Sequence, residues 1–308
     1  MNSCRRDGLT TDMKEKGISL TAFSDIEDIR KAIQIFPECR FELSYNLTEE
    51  RLQEVLPIVE GRIASIHSLC PRREYFPNFA TEDQDTLAWS CNELLRDAEL
   101  ASQLGASFLV LHPGYLTDSL VPSDSESRIS MMEREFSRYV LPGTKSIARR
   151  DYIHTPEYRK AFNTMKVNVE KISQEVKEYG VTLAIENLNP RSGYMLIHPD
   201  EIVELSRMDG IHFTIDIGHL WITTELYGID FLSALGRIFA TGKVVTTHLH
   251  SNITDGSKMT YEDSHQSIDR NNLPWKEAIH MIEETDANLI IEAKEDPIHN
   301  LEILFNYC

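Results

Sequence analysis

The chain has 308 residues and carries 49 acidic against 31 basic side chains, a formal net charge of −18. A nucleic-acid backbone is bound through a basic face that displaces counterions, so this balance disfavours nucleic acid. It suits a small neutral substrate, or one anionic group met by a few arginines. The length fits one large domain such as a (β/α)8 barrel with additions. No run of about 18 apolar residues predicts a membrane span. The amino terminus shows no apolar signal-peptide region. Five cysteines without a CxxC pair read as reduced thiols in a cytoplasmic protein.

Residues 1–16 are mostly polar and are expected to form a flexible amino-terminal segment, with the folded unit over residues 17–308. From there short β-rich runs alternate with helical patterns. ISLTAF (18–23) predicts the first strand and DIEDIRKAIQIF the first helix. RFELSYN (40–46) and RIASIHS (62–68) follow as strands, with the helix TEERLQEVLPIVE between them. The long helix DTLAWSCNELLRDAELASQLG leads to SFLVLHP (107–113), and Gly105 stands where a helix C-cap belongs. VTLAIEN (181–187), IHFTIDI (211–217), KVVTTHLH (243–250) and NLIIEAK (288–294) complete eight strands. Strand then helix, eight times over, predicts a parallel sheet with right-handed crossovers that closes into a single (β/α)8 TIM barrel. Several strands read as near-continuously apolar, as when both faces are buried. The connection after the fourth strand is too long for an ordinary barrel unit. It predicts a helical insertion at about residues 115–155, carrying DSESRISMMEREFSRYV, ahead of the regular barrel helix TPEYRKAFNTMKVNVEKISQEVKEYG.

The strand ends of such a barrel converge on one face. RIASIHSLC, FLVLHPG, TLAIENL, HFTIDIGHL, VVTTHLHSN and LIIEA bring His67, His112, Glu186, Asp216 with His219, His248 and Glu292 to that face, and EDSH adds Asp263 and His265. His250, two residues past His248, points the same way if its strand continues. Imidazole and carboxylate together suit Zn, Mn, Fe or Co, and no thiolate is needed. Glu186 and Glu292 come from strands five and eight and approach from different sides. One can remove a proton from carbon beside a carbonyl and the other return it from the far side, through a metal-stabilised enediolate. Nine ligands exceed the needs of one ion, so three clustered ions acting on a phosphodiester are the alternative chemistry. His250, Asn187, Arg191 and Trp221 are expected to contact substrate, whereas His154, His198, His212, His280 and His299 read as ordinary histidines. His198, in HPDEI, reads as helix-start chemistry.

The segments HSLC, LHPG, IEN, DIGH, HLHSN, EDSH and IEAK, in this order, resemble the xylose isomerase-like barrel superfamily over about residues 17–305. That superfamily contains sugar isomerases and epimerases and the endonuclease IV group. The resemblance implies an epimerase-type metal site of Glu186, Asp216, His248 and Glu292. The two glutamates would also move the proton, and His219 would approach the substrate. An endonuclease IV-type site would instead place one zinc on His67, His112 and Glu186. A second would lie on Glu186, Asp216, His248 and Glu292, and a third on His219, Asp263 and His265.

The leading expectation is a divalent-metal-dependent isomerase or epimerase of a sugar or sugar derivative, with one to three ions of Mn, Zn, Co or Fe per chain. A multinuclear zinc phosphodiesterase is the alternative, and an iron-dependent oxidase or lyase fits the same scaffold. The expected partner is a carbohydrate-like small molecule, with no membrane; a homo-oligomer is compatible with the sequence. The chain departs from the family pattern at Ser251, where an acidic residue is common, and in QSIDRNNLPW, which lacks the usual glycines.

Overall fold

A computed structural model describes residues 14–307. Eight strands, β1 (Lys16–Ser19), β2 (Arg40–Leu43), β3 (Ile63–His67), β4 (Phe108–Leu111), β5 (Thr182–Glu186), β6 (His212–Asp216), β7 (Val244–Leu249) and β8 (Asn288–Ile291), form its centre. They close into a parallel barrel in the order β1-β8-β7-β6-β5-β4-β3-β2. The outer layer is α1 (Ile26–Ile35), α2 (Glu49–Val59), α3 (Gln84–Leu104), α4 (Ser125–Phe136), α5 (Pro156–Lys177), α6 (Pro199–Leu205), α7 (Ile217–Tyr227), α8 (Phe231–Phe239), α9 (Trp275–Glu283) and α10 (Pro297–Tyr307). Of the amino-terminal segment expected to be flexible, residues 1–13 lie outside the described residues, and Lys16 opens β1.

The helices start where short oxygen-bearing side chains meet an apolar periodic run. Asp25, Thr48, Asp83, Asp124 and Thr155 each accept a hydrogen bond from a backbone N–H in the first turn of the helix that follows. Such a cap contributes about 1 kcal/mol. Gly105 ends α3 in the left-handed region, φ 70°, where a side chain would be strained. The first strand is shorter than ISLTAF suggests. Its ladder runs only while both neighbours continue, with Ile18 beside Ile291 and Ser19 beside Glu42. Past Ser19 the chain turns into a 3-10 helix at Leu20–Ala22.

The strands also differ from the near-continuous apolar reading. Their outward positions, such as Phe41, Leu43, Ile66, Leu109, Leu111, Phe213, Ile215 and Leu289, are fully buried in the hydrophobic core under the helices. The alternate positions turned into the barrel are polar in several strands, with Glu42, Ser65, Thr214 and Thr246 all at 0% exposure. The period of two separates an oily exterior from a polar lumen.

Between β4 and α5 the chain forms α4 and two 3-10 turns, Ser137–Tyr139 and Tyr152–His154. Val121–Pro122 pairs antiparallel with Tyr75–Phe76 from the loop after β3. Bridges Tyr115–Tyr194 and Ile147–Arg191 tie the same segment to the loop after β5. Arg128 of α4 is the buried clip of this assembly. Its Nε donates to Tyr194 Oη at 2.9 Å, and its Nη1 donates to the Ser123 and Pro122 carbonyls at 2.8 and 3.1 Å. Its guanidinium lies 4.9 Å from the centre of the Phe76 ring. Each hydrogen bond from a charged group is worth about 1.5–3 kcal/mol. Arg128→Leu is therefore expected to release the segment: limited proteolysis within residues 115–155 should accelerate several-fold. An unchanged cleavage pattern and rate would show that other contacts hold it.

Candidate metal centre

The same two-residue step that separates core from lumen lifts a second polar layer to the barrel mouth. Ser65 precedes His67 by two residues, Ala184 precedes Glu186, Thr214 precedes Asp216, Thr246 precedes His248 and Ile290 precedes Glu292. Each later residue shares its strand face with the earlier one and stands one layer higher. Registry sets these layers side by side, with Asp216 beside His248 and Glu186 beside Thr214. Asp263 and His265 arrive from a hairpin of Ser251–Asp255 and Thr260–Gln266 that follows β7. His265 has φ 47°, an uncommon conformation for a residue with a side chain.

Three groups of side chains meet there, each with donor atoms within 4.8 Å of one another. His67, His112 and Glu186 form one, Glu186, Asp216, His248 and Glu292 the second, and His219, His250, Asp263 and His265 the third. Glu186 belongs to two of them. Its Oε2 lies 3.0 Å from His67 Nε2 and 3.3 Å from His112 Nε2, while its Oε1 lies 3.4 Å from His248 Nδ1. Glu292 Oε2 is also 3.4 Å from His248 Nδ1. Asp216 Oδ2 is 2.9 Å from His250 Nε2, which links the second group to the third. Asp263 lies between His219 Nε2 at 3.4 Å and His265 Nε2 at 3.3 Å.

Four of the clustered histidines are held from behind. Nδ1 of His67 faces the Ser68 carbonyl at 3.0 Å, that of His219 the Asn187 carbonyl at 3.0 Å, that of His265 the Glu292 carbonyl at 3.1 Å and that of His250 the Ser251 carbonyl at 3.4 Å. A carbonyl only accepts, so these Nδ1 atoms carry the proton and Nε2 faces inward. Gly218 in DIGH makes room for this packing. A Cβ there would stand 2.2 Å from Cε1 of His250, so any larger residue would displace that ring.

The electrostatics is that of a site built for positive charge. Glu186, Asp216 and Glu292 are at most 4% exposed. Burial opposes the ionised form of Glu186, yet the His248 and His112 imidazoles hold its carboxyl well below the ordinary carboxylate range. Asp263 is likewise held well below its ordinary value, against burial, by His265 and His219. His248 and His219 are pushed the other way. Burial would neutralise them, but Glu42, Glu292 and Glu186 raise the first and Asp216 and Asp263 the second well above the usual imidazole value. His67 and His265 are raised against burial by Glu186 and Asp263 respectively. At His112 burial prevails over Glu186 and its value is lowered. An unmatched buried charge costs several kcal/mol, so these carboxylates require cations. Imidazolium protons can serve, and the oxygen-and-imidazole donor set fits a divalent ion such as Zn or Mn.

A pH dependence follows. Imidazole values raised above about 6.5 stabilise the cation-free fold fully below that pH, and the contribution is lost as pH rises through the raised values. A divalent ion bound there would replace the inward-facing protons, so its uptake would release protons and its affinity would fall as pH is lowered. Titration of cation-free protein with Zn2+ in weak buffer with a pH indicator should record proton release. Uptake with no release would contradict this charge assignment.

Some expected substrate contacts have other partners. Asn187 spends its side chain on Asp216, donating to its carbonyl at 3.0 Å and accepting from its N–H at 2.9 Å, and so positions a candidate ligand. Arg191 donates to Ser146 Oγ at 2.5 Å and ties two loops together. Trp221 packs edge-on against Phe231, ring centres 5.6 Å apart, because α7 turns that face toward α8. His250 is fully buried, and its ring stacks on His265 at 4.0 Å. It joins the third ligand group through a residue that extends the face of β7. His198 caps α6, accepting from Asp200 N–H. The sequence reading misses Glu42, Phe76 and Tyr115. Tyr45 and Phe76 lie 6.0 and 5.4 Å, centre to centre, from the His112 ring, and Tyr115 Oη is 3.5 Å from His112 Nδ1. For Glu42 a signal exists: it is a carboxylate inside a strand, at a position facing the lumen.

A family profile described as xylose isomerase-like TIM barrel matches residues 30–303. Among curated proteins, two uncharacterized proteins of Methanocaldococcus jannaschii are similar. One is 24% identical over 70% of this chain and 61% of its own length, the other 22% identical over 83% and 91%. This chain thus spans less than two thirds of the first relative. Among solved structures, a D-tagatose 3-epimerase-like protein superposes with TM-score 0.65 at 18% identity, covering 96% of this chain and 97% of the other. A 3-keto-D-glucoside 4-epimerase from E. coli gives 0.63 at 12% identity, covering 96% and 99%. D-psicose 3-epimerase from Clostridium cellulolyticum H10 gives 0.59 at 12% identity, covering 96% and 92%. At these identities the superpositions concern the fold. The profile match spans most of the chain and agrees with the closed barrel and its ordered mouth: the chain belongs to the xylose isomerase-like TIM barrel family.

Proposed function

We propose that this protein is a divalent-metal-dependent isomerase or epimerase acting on a sugar or sugar derivative. The observation that carries the reading is the placement of Glu186 and Glu292 in one group of four donors, reached from β5 and β8. A divalent ion held by Glu186, Asp216, His248 and Glu292 would polarise a substrate carbonyl and make the adjacent C–H more acidic. One glutamate carboxylate then takes the proton from that carbon. The other, protonated beforehand, gives a proton to the opposite face, so the carbon inverts with no net change in charge or oxidation state. The roles exchange for the reverse direction. His219 faces Asp263 through Nε2 and stands beside the group of four, where it can meet a substrate oxygen. The neighbours whose names denote sugar epimerases support this reading through their shared fold.

A multinuclear phosphodiesterase is the second reading, favoured by one specific observation. Glu186 is shared between two donor groups, and a third adjoins through Asp216 and His250. Bridging carboxylates are how clustered ions are held at the distances that in-line displacement uses. The acidic balance of the chain weighs against a polyanionic substrate.

Two experiments separate these readings. With metal restored and a panel of ketoses in D2O, the first reading expects deuterium to enter substrate carbon. Glu186→Gln and Glu292→Gln should each slow this exchange about 10²–10⁴-fold. Absence of exchange with every sugar, together with nicking of abasic-site duplex at low salt, would transfer the assignment to hydrolysis.

A further inference from the structure

Four of the clustered histidines, His67, His219, His250 and His265, are anchored through Nδ1 by a backbone carbonyl. His248 is anchored in the opposite sense. Its Nδ1 faces the carboxylates of Glu186 and Glu292, and its Nε2 points down into the lumen, 3.1 and 3.2 Å from the two oxygens of Glu42. Glu42 comes from β2, far from β7 in the barrel order, and is 0% exposed. Ser65 Oγ donates to its Oε2 at 2.7 Å, while its Oε1 faces the His248 ring. Its cationic neighbours are the imidazoles of His248 and His67. No arginine or lysine is paired with it among the described residues.

We infer that Glu42 is a positioning residue that fixes His248 with Nδ1 toward the ion and makes the group Glu186, Asp216, His248 and Glu292 the tight site, filled before its two neighbours. The inference rests on the metal-dependent reading above. An ionised carboxylate can only accept, so the ring nitrogen facing Glu42 must carry a proton and the free lone pair must lie on Nδ1. A carboxylate behind an imidazole also strengthens it as a donor to the ion in front, where a backbone carbonyl does so less. Glu42 adds a fourth buried negative charge around the central position, and this charge is offset only when a cation is present. The neighbouring groups have imidazoles braced by neutral carbonyls and compete less well for a scarce ion.

The test compares wild-type protein with Glu42→Gln and Ser65→Ala, each stripped of metal and titrated with Zn2+ against a chromophoric chelator. Glu42→Gln keeps an acceptor for Nε2–H and removes the charge. It should weaken the tightest ion about 10–100-fold. At alkaline pH, where the imidazoles have lost their extra protons, the melting temperature of the cation-free protein should stay level or rise, because an unmatched buried negative charge is gone. Ser65→Ala should weaken the same ion by a smaller factor, and any weaker ions should bind as in wild type. Wild-type affinity for the tightest ion in Glu42→Gln would overturn the inference, as would a fall in cation-free stability with affinity unchanged, the mark of a merely structural brace. A wild-type protein that binds no divalent ion would remove the metal-dependent reading itself, and the inference with it.

Discussion

The constraint on which this structure turns is the burial of Glu186. A carboxylate at the mouth of a barrel, 1% exposed, is tolerable only if positive charge is kept beside it. Three histidines from three different strands or strand ends surround it: His67 and His248 are buried and raised above the usual imidazole value, and His112 adds a third ring at the rim. The requirement then spreads outward. His248 needs Glu42, Glu42 needs Ser65, Asp216 needs His250, and His250 needs a glycine at position 218. The lumen is polar because this network continues one layer below the mouth. The oily residues are displaced to the outer face of the strands, where the helices cover them.

Such a network suits cations of either kind. Protons on the imidazoles neutralise it when no metal is present, and a divalent ion does the same with fixed geometry. The sharing of Glu186 by two donor groups would make occupancy of one position by an ion depend on occupancy of the next. The chemistry available to the mouth therefore follows from how many positions fill. If Glu42 acts on His248 as inferred, the central one would fill first. The segment after β4 is clipped by Arg128 against Phe76, which comes from the loop after β3 and lays an aromatic ring beside His112 at the same rim.

Much of this is legible in the sequence because two periodicities carry it. Alternating strands and helices, most of the helices opened by Asp or Thr, state the barrel without reference to tertiary contacts. Ligand-type residues at the ends of apolar runs state the mouth, since those residues must leave the core together. What is not legible depends on partners far apart in the chain. Glu42 is 206 residues from His248, and no local pattern marks it except its own charge inside a strand. Asn187, Arg191 and Trp221 stand next to ligand motifs and read as substrate contacts; in the fold Asn187 is bonded to Asp216, Arg191 donates to Ser146 and the Trp221 ring packs on Phe231. Proximity in sequence to a site does not say which way a side chain faces. The short β1 is a similar case, because where a strand ends is decided by its neighbours in the sheet.

The central claim is that this web of acids and histidines exists to hold a divalent ion, with His248 as its pivot. Crystals grown with Zn2+ and measured across the zinc absorption edge test it most directly. The account predicts an anomalous peak enclosed by Glu186, Asp216, Glu292 and the Nδ1 of His248, with Nε2 still directed at Glu42. No peak at that position in zinc-saturated crystals, or an ion bound through Nε2 of a rotated His248, would contradict it.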